Sequence, residues 1–232
     1  VKEQIYTIPI NESFEAKSGC PLCRLYALSR EKALDYITGS AMMEPNVRIQ
    51  SNEKGFCREH FDEMQKRNAK LAVGLMLESH MDELEKRIYI SAKGYLGKGY
   101  NPDKVASGCE KTVASCFVCE RIWDDMSHYL SNIVHIWKTE PEFRRLFEEQ
   151  EGFCLPHLSA LLSAAKRSLN KKDLFDFTQS AVGLSKKLHD TLRGELASFT
   201  KSFDYRYASE PGNARVKSAI ENTIKYLSSE KK

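Results

Sequence analysis

Apolar residues recur at helical spacing along most of the chain. Leu22, Leu25, Tyr26, Ala33, Leu34 and Ile37 step by three, four and seven, which predicts a helix ending near Gly39. The run Ile5-Tyr6-Thr7-Ile8-Pro9-Ile10 before it is β-branched and closed by proline, and reads as an extended arm. Met42 to Ile49 reads as an irregular connector, because Pro45 biases Glu44 away from helix, and Asn52 to Gly55 reads as a turn. After Cys57, the residues Phe61, Met64, Leu71, Leu75, Leu77, Met81, Leu84 and Ile88 predict one long amphipathic helix.

Gly94, Gly97, Gly99, Pro102 and Gly108 then break the periodicity and predict a linker over 93–110. Beyond it the plan repeats. Phe117 to Trp137 predicts a helix, and Thr139-Glu140-Pro141 restarts a shorter one carrying Phe143, Leu146 and Phe147. The stripe from Leu174 through Phe177, Ala181, Leu184, Leu188, Leu192, Leu196 and Phe199 to Phe203 predicts the longest helix. A last helix should turn Val216, Ile220, Ile224 and Leu227 inward. The expected fold is all-α, with two related halves, 1–92 and 111–232. A single half would leave too much apolar surface exposed, so the halves are expected to share one core with pseudo-twofold symmetry, the long C-terminal helix lying against the long helix of the first half.

The repeat is carried by letters as well as by periodicity. Gly55-Phe56-Cys57-Arg58-Glu59-His60 returns as Gly152-Phe153-Cys154-Leu155-Pro156-His157, and each copy follows a CxxC pair, Cys20/Cys23 and Cys116/Cys119. Glu44-Pro45 and Glu140-Pro141 also correspond, at an offset one residue shorter than that of Cys57 and Cys154, as in a duplication that has since gained a residue. Three thiolates and an imidazole make a tetrahedral set suited to zinc, and Cys57 and His60, at i and i+3, share one face of a helical turn. Taken in sequence order, Cys20, Cys23, Cys57 and His60 would hold one ion and Cys116, Cys119, Cys154 and His157 a second, giving two zinc ions per chain. An iron–sulfur cluster, buried structural cysteines or disulfides are the other uses of such thiols.

Tyr6 to Glu12, Cys20 to Tyr26, Ala41 to Arg48, both GFCxxH copies and Asp204-Tyr205-Arg206 together resemble a bacterial domain-of-unknown-function family with duplicated CxxC and GFCxxH motifs. The resemblance spans nearly the whole chain and implies metal binding without implying an activity.

Composition narrows the partners. The chain has 232 residues and a net charge of +3, so it offers no strong field toward nucleic acid or an anionic membrane. Basic pairs such as Lys166-Arg167, Lys171-Lys172 and Lys186-Lys187 lack the interleaved aromatics of a single-strand binder. No apolar run approaches the ~20 residues of a membrane span, and the opening twenty residues lack a basic start and an apolar stretch, so a soluble, cytoplasmic protein is expected. Six of seven cysteines sit in the motifs, which suits a reducing compartment. Cys109 is left over. His80, His128, His135 and His189 read as ordinary helix residues. Three functional readings follow: a non-catalytic zinc scaffold that presents helices to a protein partner; a thiol-based redox or metal sensor in which Cys109 displaces a ligand; and, third because every ligand position is filled, a zinc hydrolase.

Overall fold

The computed structural model describes residues 2–90, 101–203 and 214–229, and among these the secondary structure is helical with no strand. The chain divides into two compact units, Val1–Ala27 with Met126–Lys232 and Leu28–Asp125. The second is continuous in sequence and interrupts the first. These bounds differ from the halves 1–92 and 111–232 read from the repeat.

The discontinuous unit contains α1 (Lys2–Glu15), the start of α2 (Pro21–Thr38), most of α7 (Phe117–Thr139), α8 (Pro141–Glu148), α9 (Leu155–Ser168), α10 (Lys171–Lys201), α11 (Ala214–Lys217) and α12 (Ala219–Ser228). The extended arm is corrected to a helix, α1, which runs through Pro9. Proline forfeits one backbone bond, and burial of Ile10 and Phe14 outweighs that loss. Phe14 lies 5.0 Å from Phe143, Phe147 lies 5.0 Å from Phe153, and Trp137 lies 4.9 Å from Phe177, so an aromatic core joins α1, α7, α8 and α10. The α10 helix starts at Asn170, whose side chain accepts from Asp173 N–H, and it packs on α8, α9, α11 and α12. Within its own unit those neighbours bury Phe177, Ala181 and Leu192 of its apolar stripe, whereas Phe203 just past its end is exposed. In α12 the helical period is right and the phase is not: Ala219 and Tyr226 are buried, while Ile220, Ile224 and Leu227 are exposed.

The continuous unit holds the rest of α2, a 3-10 turn (Ser40–Met43), α3 (Pro45–Lys54), α4 (Arg58–Lys66), α5 (Lys70–Leu84), a π-helical turn (Glu85–Ile90), α6 (Pro102–Ala114) and the start of α7. Glu44 is extended, as Pro45 requires, but Pro45 is also the first residue of α3 and not part of an irregular connector. The single helix expected after Cys57 is two helices, because Arg67 leaves the helical conformation and its guanidinium pairs with Glu31 and Asp35 of α2. That interruption resets the phase of α5. Ala72, Val73, Met76 and His80 are buried, whereas Leu71 and Met81 are 74% and 62% exposed. The α5 helix packs on α3, where Arg48 donates to Leu75 O and His80 Nδ1 meets Asn52 O at 2.7 Å.

The glycine-rich linker is helical over its last half. Asn101 caps α6 by accepting from Asp103 and Lys104 N–H, Pro102 takes the first turn, and Gly108 is buried with Ile88 next to it. Gly94, Gly97 and Gly99 lie outside the described residues, as does Asp204-Tyr205-Arg206.

Candidate metal centres

Each GFCxxH segment makes the same local structure. Glycine ends the preceding stretch at positive φ, +62° at Gly55 and +152° at Gly152, where L side chains are disfavoured. A Cβ at Gly152 would lie 2.7 Å from Leu188 Cβ and 2.9 Å from Leu184 O, and one at Gly55 would lie 2.8 Å from His80 Nε2. The phenylalanine is buried, and the cysteine is the N-cap of the next helix, extended at Cys57 and at Cys154. The histidine three residues on lies one turn up. Cys57 Sγ is 3.2 Å from His60 Nδ1, and Cys154 Sγ is 3.1 Å from His157 Nδ1. Each CxxC straddles a helix start, so all six thiols sit at helix N-termini, where the backbone N–H groups favour thiolate.

The eight ligands form two groups, but not in sequence order. Site 1 consists of Cys20, Cys23, Cys154 and His157; site 2 consists of Cys57, His60, Cys116 and Cys119. The expected pairing of each CxxC with the GFCxxH that follows it is therefore corrected to a crossed one. Site 1 lies wholly in the discontinuous unit and site 2 wholly in the continuous one. Contacts beside the ligands hold the crossing. At site 1 Gly19 N–H donates to Glu151, Lys17 pairs with Glu149, and Gln150 donates to Phe14 O. At site 2 Phe117 N–H donates to Gly55 O at 2.9 Å, Ser115 Oγ donates to Lys54 O, and Lys54 pairs with Glu120.

In each group the four ligand atoms lie within 4.8 Å of one another. Cys23 and Cys154 Sγ are 3.8 Å apart, and Cys57 and Cys119 Sγ are 3.9 Å apart. Sulfur-to-Nδ1 distances run from 3.1 to 3.6 Å at site 1 and from 3.2 to 3.5 Å at site 2. A tetrahedral ion with metal–sulfur bonds of about 2.3 Å and metal–nitrogen bonds of about 2.0 Å has edges of about 3.8 and 3.5 Å. The donor sets fit a single ion. Disulfides, at about 2.05 Å, are not formed.

The chain matches, over residues 1–232, the model of a family of unknown function (DUF6062). It belongs to that family. No curated protein and no solved structure matches it.

Electrostatics in this DUF6062 chain point the same way as the distances. Burial and the neighbouring Cys116 and Cys57 sulfurs push the Cys119 thiol well up. Cys154 is also pushed well up by hydrogen bonding with Cys20 and Cys23, with burial adding to it. At Cys116 burial acts in the opposite sense to its hydrogen bond with His60 and to backbone donors, which together bring the thiol down to about 6. One thiolate per cluster is easily held and a full set resists ionisation. A cation at the centre relieves that repulsion.

Ligand identity was readable from spacing; the supporting residues were not. Ser185 of α10 donates to Phe153 O at 3.0 Å and so anchors the second GFC loop, with nothing local in the sequence to mark it. His80 packs against Gly55, and His128 stacks on Tyr6. Cys109 is exposed on α6 and supplies no ligand atom to either group. No helix among the described residues is long and apolar enough to cross a membrane.

Proposed function

We propose that the chain is a two-zinc protein whose Cys3His sites are structural, and that the helical units they hold serve as a non-catalytic scaffold for a protein partner. The observation that carries this reading is the closure of both donor sets: four protein ligands at tetrahedral edges, all at one ion's reach. Thiolate with imidazole is the ligand chemistry that zinc favours, and ligand atoms this close suit one ion better than an iron–sulfur cluster. With all four positions taken by side chains, no position remains for the activated water a hydrolase needs. Each ion would tie the start of one helix to the start of another far along the chain, so binding energy becomes folding energy.

Metal analysis of the purified protein tests this. About two zinc ions per chain are expected, and a strong chelator should lower the melting temperature. Iron–sulfur absorbance, or a chelator without effect on melting, would overturn the reading.

A further inference from the structure

Site 1 differs from a purely structural centre in one respect: its sulfur face borders a cavity. The cavity, of about 200 Å³, is lined by Cys20, Cys23 and Cys154 together with Leu188, Leu192 and Tyr226. Its size is below the roughly 300 Å³ at which pockets for drug-sized ligands begin, so any occupant is small. All of its lining residues belong to the discontinuous unit.

Charge narrows the class of occupant. With a divalent ion bound, three thiolates and an imidazole would carry one net negative charge, and Glu151 lines the same cavity. Lys225 also lines it, but its ammonium is paired with Glu221 at 3.0 Å. An anion would be repelled there, and apolar walls favour a neutral organic molecule. The chemistry left to a closed centre is that of its sulfur, a soft nucleophile. Cys23 and Cys154 are 5% and 2% exposed, whereas Cys20 is half-buried, so Cys20 is the most exposed of the three cysteines that line the cavity.

We propose that Cys20 is a modification site, its Sγ alkylated by a small uncharged carbon electrophile seated in this cavity. The sulfur–carbon bond forms as the carbon–leaving-group bond breaks, and the leaving group departs with the bonding pair. The sulfur reacts as thiolate, so no proton is transferred. The product is a thioether, which removes one negative charge from the donor set. This inference rests on the metal reading above.

The test uses zinc-loaded full-length Cys109→Ser protein, which removes the exposed spare thiol. It is treated with iodoacetamide or iodoacetate, and adducts are mapped by peptide mass spectrometry beside metal analysis. Cys57 and Cys119 are also half-buried and serve as controls for plain exposure. Iodoacetamide should modify Cys20 ahead of both. Iodoacetate should be slower at Cys20 by about tenfold, the scale of a like-charge repulsion near a protein surface. Asn222, another lining residue, is replaced in two ways: Asn222→Phe should slow the Cys20 reaction and Asn222→Ala should not, with Cys57 unchanged in both. Two ions per chain with Cys20 no faster than Cys57 and Cys119 would overturn the inference alone. Protein purified without metal at site 1 would overturn the metal reading beneath it.

Discussion

Cys23 and Cys154 stand 131 residues apart in sequence, and their sulfurs are 3.8 Å apart. Cys57 and Cys119, 62 residues apart, stand in the same relation at 3.9 Å. Each metal group therefore takes two ligands from one copy of the repeat and two from the other.

Ligand removal should reveal this crossing. Cys154→Ala should make Cys23 reactive toward a maleimide while leaving Cys116 and Cys119 protected; Cys57→Ala should expose Cys116 and Cys119 and leave Cys23 protected. Each should also lower the melting temperature and reduce metal content to about one ion per chain. Labelling of Cys116 and Cys119 in the Cys154→Ala protein would restore the sequence-order pairing.

Fragments should behave accordingly. Residues 1–92 and 93–232 expressed separately each carry four of the eight ligands, but neither carries a complete site as folded. Each alone is expected to aggregate or to bind metal poorly. Co-expressed, they should assemble and hold two ions, as read by size-exclusion chromatography with metal analysis. A monomeric, well-folded, metal-bound 1–92 would contradict the crossed arrangement.

The ligands were legible because thiol and imidazole at CxxC and CxxH spacing have few other uses. Their partnership was not, because 33 residues separate Cys23 from Cys57 and 34 separate Cys119 from Cys154, and such near-equal spacings carry no mark of which copy closes with which. The crossing is decided by contacts such as Phe117 N–H to Gly55 O, which no local pattern announces. Helix content was legible from periodicity, whereas phase was lost wherever a break lacked glycine or proline, as at Arg67. Pro9 misled in the other direction: a proline signal was overridden by burial of Ile10 and Phe14.

Metal binding should release protons. At neutral pH Cys116, held at about 6, is already ionised, whereas burial raises Cys57 and also Cys119 above their ordinary value. Loading site 2 must displace those two protons, so about two protons should be released per ion. A thiol that is protonated without metal and ionised with it makes affinity rise with pH, and the metal-linked part of stability should fade as pH drops through neutrality and below 6. Calorimetric titrations in buffers of different ionisation enthalpy would measure the proton count.

Phe147 is fully buried, touching Phe153, Phe177 and Trp137 at centroid distances of 5.0, 5.4 and 6.4 Å. Phe147→Ala should destabilise the discontinuous unit by about 3–5 kcal/mol. Denaturant unfolding with metal present would check it.

Gly152→Ala combines a disfavoured φ with a close approach to the backbone oxygen of Leu184. It should cost roughly 1–3 kcal/mol and weaken metal retention at site 1 more than at site 2. Equal retention at both sites would show that the loop adjusts freely.

The crossed ligands are also nested, with site 2's residues, Cys57 to Cys119, lying inside the span from Cys20 to His157. During synthesis the inner set is complete first, while Cys20 and Cys23 emerge from the ribosome and must wait for Cys154. At about 5–20 residues per second that wait is on the order of ten seconds. For that interval the nascent chain carries an unmetallated vicinal dithiol, and its yield should depend on how well the surroundings keep that pair reduced until the last ligands arrive.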